Sequence, residues 1–142
     1  MGKKRIVKNV GGEEGAVKAS ASSSAKKKVE VAVLHVQSTF NNTKLILTDT
    51  KGNALAWSSS GSLGFKGAKK GTPFAAAKVG EIVADKALIM GVKEISVVVK
   101  GVGSGRESSI RSFVTKGINL LSIKDTTPVP HNGVKPKKPR RV

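Results

Sequence analysis

Thr72-Pro73 and Gly91 bracket a segment whose apolar residues recur at helical spacing, and a continuous β-branched run, EISVVVK from Glu94 to Lys100, follows at once. That switch of period limits what the chain can become. The Thr72 hydroxyl suits an N-cap, proline fits the first helical position, and Gly91 supplies a left-handed stop. Ala75, Val79, Ile82, Val83, Ala87 and Met90 share one face of the helix, whereas Lys78, Glu81, Asp85 and Lys86 lie largely off it. Such a helix needs an apolar sheet beneath it.

The residues upstream provide that sheet. Val29, Val31, Val33 and Val36 form a β-branched stretch of period-two character, Thr43 to Asp49 a second strand, and Ala54 to Ser58 a third after the turn TKGN. These three read as an antiparallel meander, with Trp57 expected in the core. EISVVVK reads as a central strand buried on both faces. A short helix from about Arg106 to Lys116, stopped by Gly117, and a last strand from Ile118 to Ile123 complete the order βββαβαβ. The fold class is α/β, with a mixed sheet. The domain is bounded at 29–124, with a basic, Ser-rich arm at 1–28 that is too poor in large apolar residues to order itself.

From Asp125 to the end, Pro128, Pro130, Pro136 and Pro139 bar helix and interior strand, and Lys135, Lys137, Lys138, Arg140 and Arg141 add charge with no acid among them. The segment 125–142 is an extended cationic tail. The whole chain of 142 residues carries 26 Lys and Arg against 9 Asp and Glu, a net charge of +17. A domain so charged repels itself until a polyanion neutralises it, and counterion release rewards each phosphate contact. No long apolar run or basic amphipathic helix points to a membrane. The absence of cysteine excludes disulfides and thiol chemistry, and two histidines do not make a metal cage. No cofactor and no metal are expected. The basic N-terminus is interrupted by Glu13 and Glu14 and leads into no signal-type segment, which reads as a cytosolic protein or a processed organellar one.

Three loops carry candidate chemistry. GVGSGRES, Gly101 to Ser108, leaves a strand and enters a helix, so its backbone N–H groups offer an anion site, or it serves only as a tight turn that needs glycine for positive φ. It satisfies neither the P-loop nor the dinucleotide spacing. Arg106 at the helix start opposes the dipole unless an anion lies nearby. STFNNT offers Phe40 for stacking and Asn41 and Asn42 for hydrogen bonds, or serves only as a turn. GFKGAKKG sets Phe65 among Lys66, Lys69 and Lys70, a basic and aromatic grip for RNA, or only a solvated charge run. Asp49, Glu81, Asp85 and Asp125 are the candidate carboxylates for a metal-dependent nuclease, and their spacing does not converge them.

Together STFNNT, GNALAWSSSGSLGFKGAKKGTPFAAAK, VKGVGSGRESSIRS and SIKDTTPVPHNG resemble the small-subunit ribosomal protein S11 family in its bacterial or organellar form, over about Val31 to Val142. The resemblance implies a ribonuclease-H-like three-layer α/β/α fold without nuclease activity. It also implies a seat on the small-subunit platform, against ribosomal RNA near its 3′ end, where the family helps shape the mRNA exit channel and the cleft for the ribosome-binding-site duplex. Its implied neighbours are small-subunit proteins six, seven, eighteen and twenty-one; it implies no membrane and no homo-oligomer. Carried onto this sequence, RNA contacts fall on Phe40, Asn41, Asn42, Lys66, Lys69, Lys70, Ser104, Gly105, Arg106, His131, Asn132, Gly133, Lys135, Lys137, Lys138, Arg140 and Arg141. Val102 stands where the family commonly has proline, and Lys135 and Pro139 alter a tail that is richer in arginine elsewhere in the family.

The expected function is a structural, non-enzymatic RNA-binding component of the ribosome. A nonspecific nucleic-acid compaction protein is the alternative that charge alone would allow. Asn132-Gly133 is also a candidate for isoaspartate formation, because Gly133 lacks the Cβ that hinders ring closure.

Overall fold

The computed structural model describes residues 28–141; the expected N-terminal arm, apart from Lys28, lies outside them. Three strands open the domain: β1 (Val31–Ser38), β2 (Thr43–Thr48) and β3 (Ala54–Ser59). They pair antiparallel in succession, as the meander expected. The β2–β3 turn is built on Asp49, whose carboxylate accepts from the backbone N–H of Lys51 (2.9 Å) and Asn53 (2.8 Å) and from the Asn53 amide (2.8 Å). Those bonds, led by the Asn53 side chain, hold its pKa below the ordinary aspartate value.

Helix α1 (Pro73–Met90) begins where the sequence places it: Thr72 accepts from the Ala75 N–H at 3.3 Å, and Gly91 ends it in the left-handed region. Strand β4 (Glu94–Lys100), helix α2 (Gly105–Thr115) and strand β5 (Asn119–Asp125) follow. The sheet order is β3-β2-β1-β4-β5, with β4 parallel to both β1 and β5.

Both helices cover the same face. On it Ala32, Leu34, Val36, Leu45, Leu47, Ile95, Val97 and Val99 meet Val79, Val83, Ala87 and Phe113 in one buried core. The reason is topological. The connections β3–α1–β4 and β4–α2–β5 both join parallel strands and both step in the same direction across the sheet. Right-handed crossovers that step the same way lay their helices on one side. A third layer is therefore lacking among the described residues, and the architecture there is two-layered.

That asymmetry corrects two expectations. In β4, Ile95, Val97 and Val99 are buried, but Glu94, Ser96 and Val98 are only half-buried, because nothing covers the second face. Trp57 is 58% exposed instead of lying in the core. It points from edge strand β3 to the open side, opposite Ile46 of β2. Strand β5 runs two residues beyond the expected end, and the tail after it has no regular structure among the described residues.

The two helices touch closely at Gly80, where an added Cβ would collide with the Ser112 hydroxyl and the Ser109 carbonyl. Gly80→Ala should gain about 1 kcal/mol of helix propensity and lose about 1–3 kcal/mol by overpacking. Backbone stands on one side of that contact, so a net loss of about 1–2 kcal/mol is expected. Equilibrium urea unfolding checks it: the midpoint should fall at unchanged slope, and an unchanged or higher midpoint would show that the helices have room to part.

Candidate nucleic-acid interface

Strands β1, β3, β4 and β5 all end at one edge of the domain, where β2, α1 and α2 begin. Three loops and the root of the tail therefore gather there: Thr39–Asn42, Ser60–Thr72, Gly101–Ser104 and Thr126–Thr127. Direct bonds lock them together. The Gly103 N–H donates to the Ser38 carbonyl (3.0 Å), and an added Cβ at Gly103 would strike the Thr39 carbonyl and the Ser38 hydroxyl. Buried Ser60 accepts from the Thr43 N–H (3.0 Å), and its hydroxyl lies 2.8 Å from Asn42 Oδ1 and 2.7 Å from the Lys70 carbonyl. Ser104 donates to the Gly71 carbonyl at 2.8 Å. The Gly101 N–H donates to Thr127 Oγ1 at 3.2 Å, which ties the tail to the turn.

The sequence-derived residues divide into those that present groups outward and those that build the platform. Phe40, 78% exposed, and Asn41 stand out from the β1–β2 loop. Lys66 and Lys69 are exposed, with Lys69 and Lys70 on a short 3-10 turn (Gly67–Gly71) that leads into α1. Asn42 is half-buried and spends its side-chain oxygen on Ser60. Lys70 is half-buried, and its carbonyl is taken by the same hydroxyl. Gly105 is buried against Thr43 and Ala76, so only its backbone serves the site. His131, Asn132, Gly133, Lys135, Lys137, Lys138, Arg140 and Arg141 are all exposed along the tail, with Asn132 in the left-handed region at φ 52°.

Two helix N-termini open onto this edge. The first turn of α1 carries no acid, whereas that of α2 carries Glu107; Ser104 spends its hydroxyl on Gly71 instead of capping α2. The aligned dipoles of α1, with no acid in its first turn, favour an anion there. Phe74, which the sequence analysis left out, lies on the first turn of α1, 64% exposed. Its ring stands edge-on to Phe65, with centroids 6.1 Å apart and planes at 82°. Lys78 Nζ lies 5.9 Å from the same ring. The sequence signal for it is the aromatic directly after Thr72-Pro73 and the lysine loop.

Arg106 departs from the sequence argument. The anion beside it belongs to the chain: its guanidinium pairs with the Asp125 carboxylate and donates to the Gly101 carbonyl. Asp125 also accepts from the Thr127 hydroxyl (2.6 Å) and N–H (2.9 Å). Arg106 thus fastens α2, the β4–α2 turn and the tail root to one another. The other nuclease-type carboxylates are likewise engaged: Glu81 with Lys78 (2.9 Å), Asp85 with Lys116 (2.9 Å) and Asp49 in its turn. Among the described residues no three acidic or histidine side chains are grouped to hold a metal, and no helix is long and apolar enough to cross a membrane.

A protein-family model described as Ribosomal protein S11 matches residues 32–141, from the second residue of β1 nearly to the end of the tail.

The Asp125 knot has a pH signature. The Thr127 hydroxyl first, then the Thr127 N–H and Arg106, hold the Asp125 carboxyl far below its ordinary value of 3.8. A depressed folded-state pKa contributes stability that is fully present above the unfolded value and is lost as pH falls below it. Asp125→Asn should therefore lower stability near neutrality and flatten its decline between about pH 4 and pH 2. Urea midpoints of both proteins across that range test this; parallel pH curves would show that Asp125 adds nothing to the fold.

Proposed function

The chain belongs to the ribosomal protein S11 family, and from that membership we propose that its loop edge and tail seat it on the platform of the small subunit, against ribosomal RNA near the 3′ end. Membership makes the chain a non-enzymatic structural constituent of the small ribosomal subunit in translation, with ribosomal RNA as its partner. The proposal adds the position: beside the mRNA exit channel and the cleft for the ribosome-binding-site duplex, with small-subunit proteins six, seven, eighteen and twenty-one as neighbours. It places the chain in a cytoplasmic ribosome or in that of an organelle, with 29–124 as the RNA-binding domain and 125–142 as its anchor. A ribonuclease-H-like origin for the mixed five-stranded sheet belongs to the same reading.

The observation that carries it is the gathering of Phe40, Asn41, Lys66, Lys69, two helix N-termini and the tail root at one edge. The interlock of these loops is a shaped surface, whereas a nonspecific compaction protein needs only charge. Phosphates would meet the lysines and the first-turn amides, and bases would stack on Phe40. Ser104, Gly105 and Arg106 contribute chiefly by holding the α2 N-terminus in place, so Arg106→Ala should weaken RNA binding and fold stability together.

Replacing Lys135, Lys137, Lys138, Arg140 and Arg141 with glutamine should weaken binding to a platform RNA fragment. At about 0.7–0.9 per phosphate contact, the slope of log affinity against log salt should fall by about 3.5–4.5. Filter-binding titrations from low to moderate salt measure it, and an unchanged slope would remove the tail as an anchor.

Isoaspartate formation at Asn132 is part of the same proposal. Its exposed position beside Gly133 leaves the amide carbonyl open to attack by the Gly133 nitrogen. Peptide mapping with isoaspartyl methyltransferase on mature subunits should detect the β-linked product. Unmodified Asn132 throughout would leave it a turn residue.

A further inference from the structure

The face of the sheet opposite the helices is uncovered among the described residues, and its side chains are not those of an idle surface. Strand register sets out two rows across it. One runs Trp57–Ile46–His35–Val98–Lys124 from β3 to β5. The next, closer to the loop edge, runs Ser59–Lys44–Gln37–Lys100. Neither row contains a carboxylate. A shallow depression of about 250 Å³ lies between His35, Gln37, Lys44, Ile46, Val98 and Lys100.

Trp57 is the only tryptophan of the chain, and it is 58% exposed on an edge strand beside half-buried Ile46. The His35 ring is exposed in the middle of the row and is steadied by Thr48 Oγ1 at 3.3 Å from Nε2. Flat rings flanked by cations on an open sheet are the arrangement with which proteins take unpaired nucleotides: every base has a π-face, and the lysines follow the backbone. Thr126, at the root of the tail, borders the depression, so this face is continuous with the loop edge.

We propose that the open sheet face is a second RNA-contacting surface, on which unpaired nucleotides stack against Trp57 and His35 while Lys44, Lys100 and Lys124 hold their phosphates. The inference rests on RNA being the partner of this chain and adds a surface apart from the loop edge and tail. Charge decides the occupant. A second copy would set lysine rows against lysine rows, and the stretch 1–27, with Glu13 and Glu14 its only acids, is itself cationic. Neither complements this face as a polyanion with aromatic bases does.

With one tryptophan and no tyrosine, the full chain carries its own reporter. It would be titrated with a small-subunit ribosomal RNA fragment and with oligouridylate, following Trp57 fluorescence and filter retention together. Saturable quenching that tracks retention is expected. Trp57→Ala should weaken oligouridylate binding by about 5- to 150-fold, and Trp57→Phe should restore most of it. Lys44, Lys100 and Lys124 changed together to glutamine should lower the salt slope by about 2, at about 0.7 per phosphate on a single strand. Retention without any change in Trp57 emission would overturn the inference while leaving the loop-edge and tail reading intact. Failure of the unchanged chain to retain either RNA would overturn both. Blue-shifted emission of the free protein would show the face already covered, by the chain itself or, if dilution reverses the shift, by a second copy. Quenching by polyglutamate as deep as that by RNA would show a site for acidic polypeptide. Either of the last two results also overturns the inference.

Discussion

The contact between α1 and α2 at Gly80 governs the rest of the molecule, because it lets both helices share one side of a five-stranded sheet. Gly80 presents no side chain where Ser109 and Ser112 approach. With the helices that close, Val79, Val83 and Phe113 reach the same row of strand residues and seal a single core. The same arrangement points both helix N-termini to one edge and leaves the other sheet face open. Site and fold have a common origin here, the handedness of two crossovers that step the same way.

Polar groups do the local fastening. Buried Ser38, Thr43 and Ser60 sit where loops meet strands, and each satisfies a backbone or hydroxyl partner. A hydroxyl suits these places because it both donates and accepts in little space. The loops can thus be rich in glycine and still be held. Flexible phosphate-binding loops would lose ordering entropy on meeting RNA; loops already bonded to one another lose less.

The charge distribution follows the same division of labour. Four ion pairs form among the described residues, and they enlist Glu30, Glu81, Asp85 and Asp125. Lys116–Asp85 joins the end of α2 to α1 and Arg106–Asp125 joins α2 to β5, so these acids serve the scaffold. Lys69 of the 3-10 turn and the lysines and arginines of the open face and the tail stand exposed without them. Among the described residues these unpaired cations stand where a polyanion can reach them.

Much of this was legible in the amino-acid order. The Thr72-Pro73 start, the Gly91 stop, the seven residues of β4 and the β1–β3 meander are local matters of capping, periodicity and turn chemistry, and the structure has them where the sequence puts them. The proline-rich cationic tail needs no tertiary context, since proline alone bars regular structure there. Trp57 and the second face of β4 were misjudged because a β-branched or aromatic strand residue looks the same whether a layer covers it or not. The partner of Arg106 was not legible because Asp125 lies 19 residues away and reaches it only across a parallel strand pair. Sequence by itself determined the elements and the kind of partner, because propensity and net charge are properties of residues. Only the tertiary structure decided which face is open, which loops meet and which charges are already spent, because those depend on how strands far apart in the chain are ordered in one sheet.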